Sequence, residues 1–463
     1  MTLHLGDFRL TGIRQGRIVA QCFSRGARAP AGRKRPSVAQ ETRSSRHPEH
    51  TGPSHGPRVR TFHSLRNRDY RLLWSGNLFN SGANWLQQAT VGWLMWELSH
   101  SPLLVGSVGG FRALPFLVVG PLSGVLADRF DRKKLVLLSQ TLLALSGLLF
   151  ALLVAWDHLE HVQVWHVFIY VTVSGVAHAI LQPVRSALVA NTVPKEDLGN
   201  AYALQAMGVT SSRFVLPAVG GVLISQFGFT VNFFMESAMY IVLALLVIPM
   251  RTPYREQAGR GHHGSTFADL KEGVRYVWKD KPIMQLLVLS FIPNFFVQPS
   301  LHLLPVFAGA VLHRGPEIYG TLLSMNGLAG FSATLVVASF GFLLNKGLTS
   351  LLVLMVSSVG VILLGLSQWL PLTVLAVCIM GFGQTVFRVS NNTMIQTLSP
   401  DALRGRIQSI YHLDHGLTPL AGFIIGVLAD QFTPRWAVTG VGLASLVLSV
   451  YFLTNFRRIR QLA

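Results

Sequence analysis

The sequence predicts an all-α membrane protein: twelve transmembrane helices in two six-helix halves, with both termini in the cytoplasm. Three observations carry this. Half of the 463 residues are apolar and only 13% are charged, where soluble domains hold about a quarter. The apolar residues come in runs of the roughly 20 residues needed to cross the hydrocarbon core. Lysine and arginine gather in alternate short loops, as the positive-inside rule requires.

Residues 1–60 stand apart. They hold 12 Lys/Arg against 3 Asp/Glu, with abundant Ser, Gly, Pro and His and no sustained apolar period, so they read as a disordered basic tail. A solvated extension, an upstream start codon and an arm for anionic lipid or nucleic acid are the readings open to it, the first two favoured. GPSHG at Gly52–Gly56 matches a nucleophile-elbow pattern in letters only, without its strand-to-helix context.

From Tyr70 onward the spans fall at about 72–97, 103–127, 135–156, 163–190, 201–226, 230–250, 283–311, 317–343, 348–367, 371–397, 405–429 and 435–455. The longest break is 251–282, so 61–250 and 283–463 form the halves and 251–282 the cytoplasmic linker. In the linker, Phe267, Leu270, Val274, Val277 and Trp278 have helical spacing with charges between them, the pattern of a helix lying on the membrane surface. With the N-terminus inside, the inner segments beyond the tail carry 21 basic residues and the outer loops only Arg314 and Arg435.

Of the net charge of +19, +9 lies in the tail and +10 on the rest, where it follows membrane orientation, and no nucleic-acid partner is expected. Cys22 and Cys378 make neither a disulfide framework nor a zinc quartet. No phosphate-cradling GxxxxGK[ST] loop and no HExxH is present, and Asp157–His161 reads as a polar turn. An enzyme, a metal site and a cofactor are not expected. Transport without ATP is the leading class.

Such a protein needs polar groups on interior helix faces. Asn77, Asn80, Ser81, Asn84 and Gln88 form a stripe on the first span, facing a cavity or another helix. Arg112 lies roughly 13 Å from one end of its span and 24 Å from the other at 1.5 Å per residue, beyond the reach of snorkelling. Arg213 and Arg388 are similarly deep, whereas Arg185 can snorkel. Intramembrane ionisable groups mark function. Asn84, Gln88, Arg112, Arg213 and Arg388 are therefore the candidate cavity residues, with Trp85 among the candidate aromatic walls. Asp414 and Glu236 are the candidate proton carriers, a static buried ion pair being the other reading of each. His178 reads as a packing residue.

The loop Gly124-Val-Leu-Ala-Asp128-Arg129-Phe-Asp131-Arg132-Lys133-Lys134 resembles the signature loop of the major facilitator superfamily, G-x-L-a-D-R-x-G-R-[RK]-[RK]. Gly120 and Gly124 suit close helix approach. The resemblance implies that Gly120, Gly124, Asp128, Arg129, Arg132 and Lys133 form a latch of the outward-open state. Asp131 departs from the pattern's glycine.

A narrower resemblance runs through Phe62-His-Ser-Leu-Arg-Asn-Arg-Asp-Tyr-Arg-Leu-Leu-Trp74, Trp96–Pro102, Val193-Pro-Lys-Glu-Asp-Leu-Gly-Asn200, Arg213–Gly221 and Leu398–Arg406. These segments are similar to the enterobactin-exporter and macrolide-efflux group, the transmembrane secretion effectors. That implies twelve helices, alternating access and proton-coupled export of amphipathic compounds. Many relatives place an acid in the first span where this chain has Asn84. Phe340–Lys346 lacks the loop's Asp, and GVLAD recurs at 124–128 and 426–430 on opposite sides.

The expectation is a multi-pass plasma-membrane protein of the bacterial inner-membrane type. It is a secondary exporter, an antiporter moving drug-like or siderophore-like molecules against protons, with the bilayer as its surroundings. A lysolipid or lipid flippase on the same fold, and a non-transporting scaffold or sensor, are the alternatives. Deep arginines outnumbering acids favour anionic or zwitterionic cargo.

Overall fold

The computed structural model describes residues 62–157, 160–251, 266–340, 345–400, 403–413 and 418–460. The tail 1–60 and Asp414 lie outside them. The described chain is helical throughout. In order, the helices are α1 (Arg68–Ser99), α2 (Pro102–Arg129), α3 (Arg132–Asp157), α4 (Val164–Thr192), α5 (Leu198–Phe227), α6 (Phe229–Val247) and α7 (Thr266–Lys279). A broken helix, α8 (Lys281–Val311), follows. Then come α9 (Pro316–Phe340), α10 (Lys346–Leu366), α11 (Leu370–Leu398), α12 (Arg404–Leu413), α13 (Thr418–Phe432) and α14 (Pro434–Asn455). Among the described residues, nine helices are long and apolar enough to cross a membrane. The 32-residue α1 is outside that set because its amides and hydroxyls dilute its apolar content.

Helix pairing repeats along the chain. α3 packs on α4 and α6, and α2 on α4; in the later set α10 packs on α11 and α14, and α9 on α11. The two sets meet along two seams, α2 against α13 and α5 against α9. Glycine makes both seams close. A β-carbon at Gly221 would come within 3.1 Å of the Cα atoms of Glu317 and Gly320, and Gly106 faces the Gly422 carbonyl. Pro102, Gly106, Gly221 and Pro316 all lie near one end of their helices, so that end is sealed. The opposite end, at 129–132, 192–198 and 398–404, carries the basic turns.

Two sequence motifs interlock at the basic end. His63 Nδ1 lies 3.0 Å from Asp197 Oδ1, and the Ser64 N–H donates to Asn200 Oδ1 at 3.0 Å. Tyr70 and Trp74 donate to the carbonyls of Ala201 (2.6 Å) and Leu204 (2.9 Å) in α5. The Phe62–Trp74 and Val193–Asn200 segments are thus two sides of one joint. A parallel joint ties α7 to α12, where Arg406 meets Glu272 at 2.5 Å. On α7, Val274 and Trp278 are exposed.

The departure at Asp131 has a local cause. Its Oδ1 accepts from the backbone N–H groups of Lys133 (2.8 Å) and Lys134 (3.2 Å), capping α3, as a short acidic side chain does at a helix N-terminus. Lys133 Nζ in turn donates to the carbonyls of Ile248 (2.5 Å) and Met250 (3.1 Å) just past α6. Arg132 reaches Asn191 at 3.4 Å. Gly120, Gly124, Asp128 and Arg129 lie on α2, with side chains outside the described set.

Candidate functional site

The polar stripe of α1 divides between two tasks. Asn77 donates to Gln205 of α5 at 3.1 Å, and Asn80 accepts from Gln140 of α3 at 3.0 Å, both buried between helices. Asn84 and Gln88, one and two turns further on, face open space. Opposite them α8 abandons regular geometry. Wide i→i+5 turns cover Pro293–Val297 and Phe307–Val311, a distortion common at functional sites, and the first brings Asn294 and Gln298 to the same space.

That space is a cavity of about 410 Å³ between the halves. Asn84, Gln88, Arg112, Arg213 and Arg388 all line it, with Trp85, His178 and His302 among their neighbours. Its lining extends through Gln182, Phe387 and Tyr411 toward the basic end. Toward the sealed end it narrows into a chamber of about 70 Å³ bordered by Gln87, Gly92 and Tyr319.

The arginines are held in different ways. Arg112 donates to Asn84 Oδ1, so this amide of α1 orients a cavity cation. Arg213, on α5, donates to Asn326 of α9 at 2.7 Å, and its guanidinium carbon lies 5.3 Å from the centre of the Trp85 ring. Asn326 is fixed in turn by donating to the Val377 carbonyl at 2.9 Å. Arg388 is exposed to the cavity. Arg185 turns along its own helix to Gln182 at 2.8 Å. No acidic side chain is among the described lining residues. The arrangement offers fixed positive charge, an aromatic face and amide donors, a chemistry suited to an aromatic or amphipathic anion.

Glu236 is elsewhere. It is buried inside the first half, and its Oε1 accepts from Tyr170 (2.6 Å) and Gln87 (2.8 Å). His178 donates from Nδ1 to the Ser174 carbonyl at 2.9 Å, and it also borders the cavity. Sequence reasoning missed Gln87, Asn326 and His302. Gln87 lies seven residues past Asn80, so the same helical period that selected Asn84 contained it. Asn326 was marked only by being an amide in an apolar span beside Gly327.

A profile of the transmembrane secretion effector family matches residues 59–462. The staphyloferrin A transporter of Staphylococcus aureus is 23% identical over 81% of this chain and 94% of its own. The enterobactin exporter EntS of Shigella boydii is 25% identical over 79% and 86%. Among solved structures, a variant of the nucleoside transporter NupG superposes with a TM-score of 0.70 at 14% identity, over 84% of this chain and all of the other. The fold, the seams and the length of the family match agree, and the chain belongs to the transmembrane secretion effector family of the major facilitator superfamily, a multi-pass membrane transporter rather than an enzyme.

Proposed function

We propose that this small-molecule transporter is a secondary exporter of anionic, amphipathic compounds, working by alternating access in a plasma membrane. One observation carries the reading: Arg112, Arg213 and Arg388 line a cavity whose described lining holds no acid. Fixed cations in a low-dielectric site attract anionic cargo and reject cations. The siderophore cargo in the names of two relatives supports the same class.

In this reading twelve spans cross the bilayer, the termini and the basic end face the cytoplasm, and 251–282 links halves 61–250 and 283–463. The sealed end then faces outward and the cavity receives cargo from inside. The loop from Gly120 through Gly124, Asp128, Arg129, Arg132 and Lys133 is the latch that re-forms when the molecule opens outward. Protons drive the cycle, with Glu236 and Asp414 as the candidate carriers.

Exchange of 2-naphthoate across liposomes holding the purified protein tests this. The probe pairs a carboxylate for the arginines with a ring for Trp85. Wild type exchanges it, and Arg112→Gln and Arg213→Gln each weaken it roughly 10- to 100-fold, the loss of a charge-assisted hydrogen bond of about 1.5–3 kcal/mol. Unchanged exchange in both variants, with cationic dyes carried well, sinks the reading. Activity confined to head-grouped lipids replaces it with the flippase.

A further inference from the structure

Glu236 sits in a cluster that the cavity chemistry does not use. The carboxyl is 1% exposed and joins α6 to α4 and α1. Tyr170 donates to Oε1, and Gln87 Nε2 stands between Oε1 (2.8 Å), the Tyr170 hydroxyl (2.7 Å) and Ser174 Oγ (2.9 Å). The second oxygen, Oε2, has no partner, and neither do Gln87 Oε1, the Tyr240 hydroxyl and His178 Nε2. A buried carboxyl oxygen and the amide oxygen of its own partner, both left unpartnered, are a poor design for a purely structural joint, because each has lost its water without gaining a hydrogen bond.

The charged surroundings are sparse. Facing titratable groups are Tyr170 from α4 and Tyr240 from α6, whose ring meets that of His178 at 72° with centres 6.4 Å apart. Among the described residues, α1, α3 and α5 bring no ionisable side chain to the carboxyl, and no cation lies in salt-bridge contact with it. Arg112, on α2, is the full charge whose field reaches it. A buried carboxylate with no cation in contact is costly, and a proton on it removes that cost.

The cluster is also next to the transport path. Gln87 borders the 70 Å³ chamber beyond Arg112 and Arg213 and donates to Glu236. One side chain therefore separates the carboxyl from the cavity. We propose that Glu236 is the proton-carrying carboxyl of this transporter, exchanging its proton with the cavity past Gln87. The step is the making and breaking of one O–H bond at Oε2, with cavity water as the source and acceptor of the proton. It places proton binding inside the first half, beside cargo binding, so that one opening of the cavity exposes both. The proposal deepens the transport reading and rests on it for its coupling to cargo.

The test has two independent readouts on the full chain in liposomes. Infrared difference spectra on changing pH need no cargo: wild type shows a protonated-carboxyl band that is lost as pH is raised. That band disappears in Glu236→Gln and persists, shifted, in Glu236→Asp. With 2-naphthoate, Glu236→Gln keeps exchange, which moves no net protons, and loses accumulation driven by a pH gradient. Wild type that titrates no such band, a band unchanged in Glu236→Gln, or gradient-driven accumulation that survives in Glu236→Gln but not in Asp414→Asn overturns the assignment. Wild type that moves no naphthoate while the Glu236 band titrates sinks the anion reading and leaves the proton site standing.

Discussion

The two halves share a helix-pairing plan and differ in what they bury. The first half encloses Asn80, Gln87, Gln140, Asn232 and Glu236, whose hydrogen bonds run from helix to helix, and His178, which bonds within its own helix. The second buries mainly hydroxyls. Ser357, Ser358 and Ser449 each donate to the carbonyl four residues back, at 2.7 to 2.9 Å. Such a hydroxyl is satisfied by its own helix and asks nothing of its neighbours. An amide or carboxyl is too demanding for that, and its partners must come from other helices. The second half is thus a body held by packing, while the first carries a polar interior with titratable members. Among the described residues, the first half alone buries a carboxyl, that of Glu236.

The seam between them sets the largest prediction. Gly221 touches the backbone of α9 at Glu317 and Gly320. Gly221→Val drives a branched side chain into backbone that cannot yield, and overpacking of this kind costs about 1–3 kcal/mol. The cost falls on the sealed state alone. Spin labels at Ser101→Cys and Asp430→Cys, whose side chains meet across the other seam at 3.4 Å, report it as a longer distance and an outward-open population. If the variant unfolds without opening, the halves are not separate bodies and the comparison fails.

A smaller effect separates the loops that lead into α3 and α10. Asp131 caps the first and Asn345 the second, where Asn345 Oδ1 accepts from the Leu348 N–H at 3.1 Å. Losing either cap costs about 1 kcal/mol. Asp131 also carries a charge at the positive end of a helix whose first turn is Arg132-Lys133-Lys134, where an anion is favoured by about 0.3–1 kcal/mol. Asp131→Ala is therefore expected to lower thermal stability more than Asn345→Ala, and raised salt should narrow the gap. Equal losses that ignore salt would reduce Asp131 to an ordinary cap.

The fold was legible because its causes are local: apolar run length, loop charge and the loop at 124–134 are each read without knowing what touches what. The cavity was legible in part for the same reason, since a deep arginine has few places to go. Partnership was not legible. The stripe on α1 read as one face, yet Asn77 and Asn80 serve neighbouring helices while Asn84 and Gln88 serve the cavity. One period cannot show which helix stands opposite each turn. Gln87 and Gln88 show the limit most sharply: adjacent amides, one clamped to a carboxyl and one facing the cavity. Asp131 was read as a departure because the pattern names residues and not the N–H groups they must satisfy.

The smallest prediction is the most exacting for the comparison. Ser358 donates to Leu354 O at 2.9 Å and lies 2.7 Å from Ser445 Oγ of α14. If the hydroxyls of the second half are satisfied within their own helices, Ser358→Ala removes one interhelical contact. It leaves Ser445 with a free hydroxyl that its own helix can take up. Interhelical hydrogen bonds in membranes are worth about 0.6 kcal/mol on average, so the melting temperature should barely move. Asn232→Leu in the first half is the matched control. Its amide donates to Thr90 (2.9 Å) and the Gly220 carbonyl (3.0 Å), and losing both should cost more than twice as much. A serine variant as damaging as the asparagine variant would mean that hydroxyl contacts between α10 and α14 hold the second half together, and that its interior is as much a polar network as the first.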